Sequence, residues 1–270
     1  MQRCQSRVGP SREREGRTTV KITVLGDFRV AVDGVPTPAS AWSRRSAAIL
    51  VKVLALAPGH SLHREQVMDL LWPHQSPALA APRLHKAAYF ARRVIGCDEA
   101  VVLRDDVVYL FPGAEVTVDA VRFEQLARVA VREGDPVAAR AALAWYRGEL
   151  LPGDRHEEWA ADRREMLHLR HVDVLRVAGE WRELVELDPT DEEAHAELMR
   201  RHLEAGDGAA ALHEYQHLER AVGGETGRPA RVGSLLSELA GLVSRQRALI
   251  AELDALGVSR PPPVHLGVVA

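Results

Sequence analysis

The sequence predicts a mainly α-helical protein. An N-terminal winged helix-turn-helix of mixed α and β structure leads into an all-α stack of tetratricopeptide-like helical hairpins. Three observations predict this. Short β-branched runs, three helical stretches and a closing pair of strands follow one another between residues 20 and 111. From Val118 onward the apolar pattern is purely helical, and it repeats. The formal charge also changes sign along the chain: residues 1–110 carry 16 Lys and Arg against 10 Asp and Glu, and residues 111–270 carry 19 against 28. A basic half joined to an acidic half suits a nucleic-acid-facing module followed by an interaction module.

Taken in order, residues 1–18 read as a polar, basic, disordered arm. Residues 20–25 and 28–32 read as strands, and Asp33-Gly34 after the second is a hairpin signal. Ser43 is placed to cap a helix that runs to Ala57 and is stopped by Pro58-Gly59. Ser61 is placed to cap a second helix over residues 62–72, closed by Pro73. A third helical stretch ends at Ile95-Gly96, and strands over 101–104 and 107–111 then turn at Asp105-Asp106. Residues 19–116 form this winged-helix domain, and residues 117–256 the helical domain. In the latter, Gly134 and Gly206 lie 72 residues apart, about twice a ~34-residue repeat. The intermediate unit is built on a helix over 156–177, a helix over 231–256 caps the stack, and residues 257–270 are a flexible tail.

Composition narrows the function. At 270 residues the chain is long enough for two domains. Cys4 and Cys97 make neither a disulfide framework nor a zinc box, which points to a reducing cytoplasm. Residues 1–19 lack the apolar core of a secretory signal, and no apolar run is long enough to span a bilayer. Within the basic half no acid occurs between Asp69 and Asp98, a footprint suited to phosphate.

The third helix carries the site. At ~100° per residue, Leu84, Ala88, Ala91 and Ile95 form its buried stripe. Lys86, Tyr89, Phe90 and Arg93 then project the opposite way, with Arg83 and Arg92 on the flanks. Cations beside aromatic rings suit thymine methyls, sugars and base edges. Arg44 and Arg45, at the start of the first helix, and Arg104, near the hairpin tip, are placed for phosphate contact.

The strings RRSAAILVKVLALAPGHSLHREQVMDLLWP and APRLHKAAYFARRVIG, with AADRREMLHLRHVDVL and LDPTDEEAHAELMRRHLEAGDGAAALHEYQHLERA further on, resemble the Streptomyces antibiotic regulatory protein (SARP) family. The resemblance spans residues 20–245 and includes that family's bacterial transcriptional activator domain. It implies a transcriptional activator that binds promoter DNA and recruits RNA polymerase. The polymerase contact implied by the family lies in the loop between the second and third helices, here residues 73–81. Two features depart from the pattern. Pro82 replaces a common Asn and is read as the start of the recognition helix, with residues 76–81 a separate turn. Residues 177–188 are also short for a complete hairpin.

No enzyme, metal or cofactor is expected. His213-Glu214-Tyr215-Gln216-His217 fits the zinc-protease spacing, but Ala211, Tyr215 and Leu218 form the apolar stripe and turn both histidines to solvent. His60 with His63, and His168 with His171, read as surface pairs. No phosphate-loop or nucleophile-elbow motif is present. The expected partners are double-stranded promoter DNA, RNA polymerase and a second copy of the chain bound through the helical domain, with no membrane. The rival reading is a protein adaptor that uses both domains for docking without DNA.

Overall fold

The computed structural model describes residues 17–222 and the single position Gly241. Residues 1–16 of the expected 1–18 arm, the capping helix over 231–256 apart from Gly241, and the tail fall outside the described residues. The chain divides into two compact units, residues 1–178 and residues 179–270.

The first unit begins with β1 (Thr19–Thr23), β2 (Arg29–Val32) and the short β3 (Val35–Pro36). Asp33 and Gly34 both take positive φ, which makes the tight turn that a two-residue hairpin needs. Val20 and Ile22 of β1 are buried while Thr19 and Lys21 face out, the alternation of a half-buried strand. Three helices follow: α1 (Arg45–Leu56), α2 (Arg64–Leu71) and α3 (Pro77–Ile95). They pack on one another through Leu50, Leu54, Val67, Leu84 and Ala88.

Between α1 and α2 the chain forms β4 (Ser61–His63), and after α3 come β5 (Val101–Arg104) and β6 (Val107–Leu110). These three make the antiparallel wing in the order β4-β6-β5, with Ser61 opposite Tyr109 and Val101 opposite Leu110. Asp105 and Asp106 at its tip both have positive φ, the conformation that Asp tolerates better than most residues. A further strand, β7 (Glu115–Val118), returns to pair in parallel with β1, completing the order β3-β2-β1-β7.

Several expectations are corrected. Ser43 does not cap α1: Arg44 is the N-cap, and no side chain caps that end. Ser61 is drawn into the wing, so α2 starts at Arg64 with His63 as cap. The His63 ring accepts from Glu65 N, and the Gln66 side chain accepts from His63 N. Pro82 does not start α3. The helix begins five residues earlier at Pro77 and runs through Pro82, so the 73–81 loop shrinks to a turn over 72–76. Pro77 is pre-set for the first helical turn. Pro82 still gives up one backbone bond, and burial of Ala80, Leu84 and Ala87 on the packed side offsets this.

Packing continues past residue 116. α4 (Asp119–Glu133), α5 (Pro136–Leu143) and α6 (Ala161–Ala178) share one apolar core with the strands and α1–α3. The Asp119 carboxylate, buried at the start of α4, accepts backbone bonds from Val24 (2.9 Å), Leu25 (3.1 Å) and Ala120 (2.8 Å). Gly26 lies against the loop after α5, where its N–H donates to Glu149 O at 2.9 Å. A Cβ on Gly26 would stand 2.8 Å from Arg147 O, so only glycine fits. Lys52 of α1 reaches Asp154 Oδ2 at 2.5 Å with both side chains nearly buried, and its Nζ sits 4.6 Å from the Phe28 ring centre.

His171 of α6 corrects its reading as a surface residue. It is buried, stacked on Tyr146 with ring centres 3.9 Å apart, with Phe123 edge-on behind it. Burial, and secondarily the nearby His168, lower its pKa from 6.5 to about 4.

The second unit contains α7 (Trp181–Leu187), α8 (Glu192–Glu204) and α9 (Gly208–Val222). α7 is only seven residues long, in keeping with the short 177–188 segment. Asp191 caps α8 through Ala194 N, and Gly206, at φ 76, makes the turn into α9. Met199, Leu203, Ala211 and Leu218 fill the α8–α9 seam. No helix among the described residues is long and apolar enough to cross a membrane.

Candidate nucleic-acid interface

α2, the turn after it and α3 form the helix-turn-helix, and the β5–β6 hairpin stands beside α3 as the wing. On α3 the buried residues are Ala80, Leu84, Ala87, Ala88 and Ala91. Viewed down the axis, these cluster within about 100°, and His85, Lys86, Tyr89 and Arg93 occupy the opposite side. All four of these are exposed, Tyr89 by 51%. Arg93 Nη1 reaches Tyr89 Oη at 3.4 Å, which holds ring and guanidinium together one turn apart. Arg83 is exposed on one flank, and Arg92 is half-buried on the other.

Phe90 departs from its expected place. It is half-buried and packs against the core, with Tyr89 edge-on at 5.4 Å and the Arg44 guanidinium 5.2 Å from its ring centre. Its helical angle lies about 60° outside the buried stripe, and the Arg44 guanidinium lies over its ring. Phe90 therefore orients Arg44 and is not itself a free groove-facing ring. Arg45 is exposed but ion-paired with Glu157, a residue 112 positions away that no local pattern could match to it. Arg104 lies over Tyr109 (5.5 Å) and 3.7 Å from Asp105.

The wing tip is less acidic than its sequence reads, because Arg64 pairs with Asp106 at 3.0 Å while its backbone N–H donates to Asp106 O at 2.8 Å. Each tip aspartate therefore has an arginine beside it. His85 joins the exposed side of α3 unforeseen by the sequence pattern, its only signal being its position one residue before Lys86.

In the second unit His213 is exposed as expected, but His217 is half-buried and faces His195 of α8, with ring centres 5.6 Å apart. The expectation that both histidines face solvent is corrected for His217, because α8 covers that side of α9.

Residues 118–239 match the bacterial transcriptional activator domain family. No curated protein matches this sequence. The structure of Mycobacterium tuberculosis EmbR in complex with a low-affinity phosphopeptide is similar in fold, with a TM-score of 0.58 at 14% identity over 88% of this chain and 71% of that one. The matched domain is similar to that of bacterial transcriptional regulators, and the structural likeness supports the fold. They bear out the resemblance read from the sequence, that of a SARP-type regulator.

Proposed function

We infer that this regulator binds double-stranded promoter DNA through α3 and activates transcription by occupancy, without catalysis. One observation carries the reading. The exposed side of α3 presents Lys86, Tyr89 and Arg93 beside a wing, directly opposite the stripe that anchors the helix in the core. A major groove admits such a helix, and its exposed side meets base edges. Lys86, nearer the N-terminus, reads bases. Arg83 and Arg93, with Arg44 at the start of α1, bind phosphates. Arg45 and Arg104, each beside a carboxylate, contribute less.

The turn over 72–76 and the exposed first turn of α3, where Leu79 is 63% exposed, supply the surface that recruits RNA polymerase. The helical domain supplies the contact with a second copy or with the transcription machinery.

The test selects bound fragments from random DNA with the full chain and measures their affinity across salt concentrations. Selective recovery with a steep loss of affinity as salt rises supports DNA binding. Uniform recovery with no salt dependence overturns it in favour of protein docking.

A further inference from the structure

We propose that His195 of α8 with Glu214 and His217 of α9 binds a divalent transition-metal ion, zinc foremost, that clamps the α8–α9 hairpin. The three side chains come from two helices, and their ligand atoms lie within 4.8 Å of one another. Glu214 and His217 are three residues apart, which stacks them on one side of α9 facing His195 across the seam.

The state of the His195 ring carries the argument. His195 is fully buried, at 0% exposure. Its Nε2 lies 3.0 Å from Pro189 O, and because a carbonyl can only accept, Nε2 bears the proton. With its Nε2 turned to Pro189, the ring presents Nδ1 toward α9. That atom lies 2.6 Å from Glu214 Oε1. A ring nitrogen and a carboxylate oxygen this close share a cation, either a proton or a metal ion. A proton on Nδ1 would ask for a straight N–H···O bond, and Nδ1 is buried with no partner in hydrogen-bond geometry. The third donor, His217, converges on the same point, as a metal requires and a proton does not.

The pattern is that of a zinc site. Two imidazoles and one carboxylate form a known three-ligand zinc set, and Nε2–H held by a backbone carbonyl is the usual outer contact of a ligating histidine. Ligands at ~2.0–2.1 Å in tetrahedral array stand about 3.3 Å apart, so binding parts Nδ1 from Oε1 slightly and draws His217 in. Glu214 and His217 also line a cavity of about 470 Å³ with His202, His213 and Arg182.

The site differs from the His213/His217 pair of the protease-like string. His213 is exposed, and the ligand it would supply comes instead from His195, on the preceding helix. A bound ion would fasten a seam whose described core is small, so occupancy would couple to folding of the hairpin.

The test uses the full chain, stripped with chelator, dialysed and titrated with zinc chloride against a chromophoric competitor. The expected result is one zinc per chain and a raised thermal midpoint. His217→Gln and Glu214→Gln, both folded by circular dichroism, should bind roughly 100-fold more weakly or worse, exceeding the 10–100-fold loss typical of outer-shell changes. His213→Gln should stay within about 3-fold of the parent, outside that range. Parental affinity in both His217→Gln and Glu214→Gln overturns the proposal. So does equal loss in His213→Gln, and so does an absence of binding by the parent chain.

Discussion

Replacing His171 with Phe should remove a defined part of this protein's acid sensitivity. The native ring is stacked on Tyr146 and held neutral by burial, with a folded-state pKa of about 4 against 6.5 for the free side chain. A group whose value is lowered by folding contributes its full stability above the unfolded value. That contribution is lost as pH falls from 6.5 toward 4. At ~1.36 kcal/mol per pH unit, the whole difference is worth about 3 kcal/mol, and the interval from pH 7 to pH 5 takes about 2 kcal/mol of it. The ring is 5% exposed, so solvent screening removes little of this. Phe keeps an aromatic face against Tyr146 and Phe123 but has no proton to gain. Urea titration followed by tryptophan fluorescence would report the change, since Trp42, Trp72, Trp145 and Trp159 all lie in the same unit as His171. The parent should lose about 2 kcal/mol more than His171→Phe between pH 7 and pH 5. Equal losses in the two proteins would refute the buried neutral ring.

Lys86→Ala should weaken binding to a selected DNA site by ~1–3 kcal/mol and flatten discrimination between sites, whereas Arg93→Ala should weaken all sequences alike and lower the salt slope by about 1. Both are read by fluorescence anisotropy at several salt concentrations. Leu84→Ala, from the buried stripe, should instead destabilise the fold by ~2–5 kcal/mol in a denaturant titration. Gly26→Ala should destabilise by more than the ~1–2 kcal/mol of a left-handed backbone, because its Cβ would also meet Arg147 O at 2.8 Å. A change below 1 kcal/mol in its thermal or urea midpoint would show that the 147–148 loop yields. Asp154→Ala strands the Lys52 ammonium and should cost ~3–5 kcal/mol, and adding Lys52→Met should recover most of that loss in a double-mutant cycle.

The local chemistry of the chain decided the parts of this fold that depend on near neighbours. The Leu84–Ala88–Ala91 stripe, the stop at Gly96 and the turns at Asp33-Gly34 and Asp105-Asp106 all rest on periodicity or backbone freedom within a few residues. So does the exposed trio of Lys86, Tyr89 and Arg93, because the stripe fixes the opposite side. Short strands were less legible. Residues 61–63 read as the start of a helix until β6 claims them, and β7 is a strand because β1, nearly 100 residues earlier, pairs with it.

Tertiary structure alone decided which side chains meet. Arg45 finds Glu157, Lys52 finds Asp154, and Asp119 finds the backbone of Val24 and Leu25 across sequence separations of about 100 residues. Phe90 is drawn from the groove side by the core and Arg44, and His171 is taken from the surface by Tyr146. The HEYQH string shows the reason most directly. On α9 by itself its histidines are solvent residues, and only the packing of α8 brings His195 onto Glu214 and His217. A helix's own sequence determines which side is apolar, but the chemistry of a polar group depends on what a distant segment places opposite it.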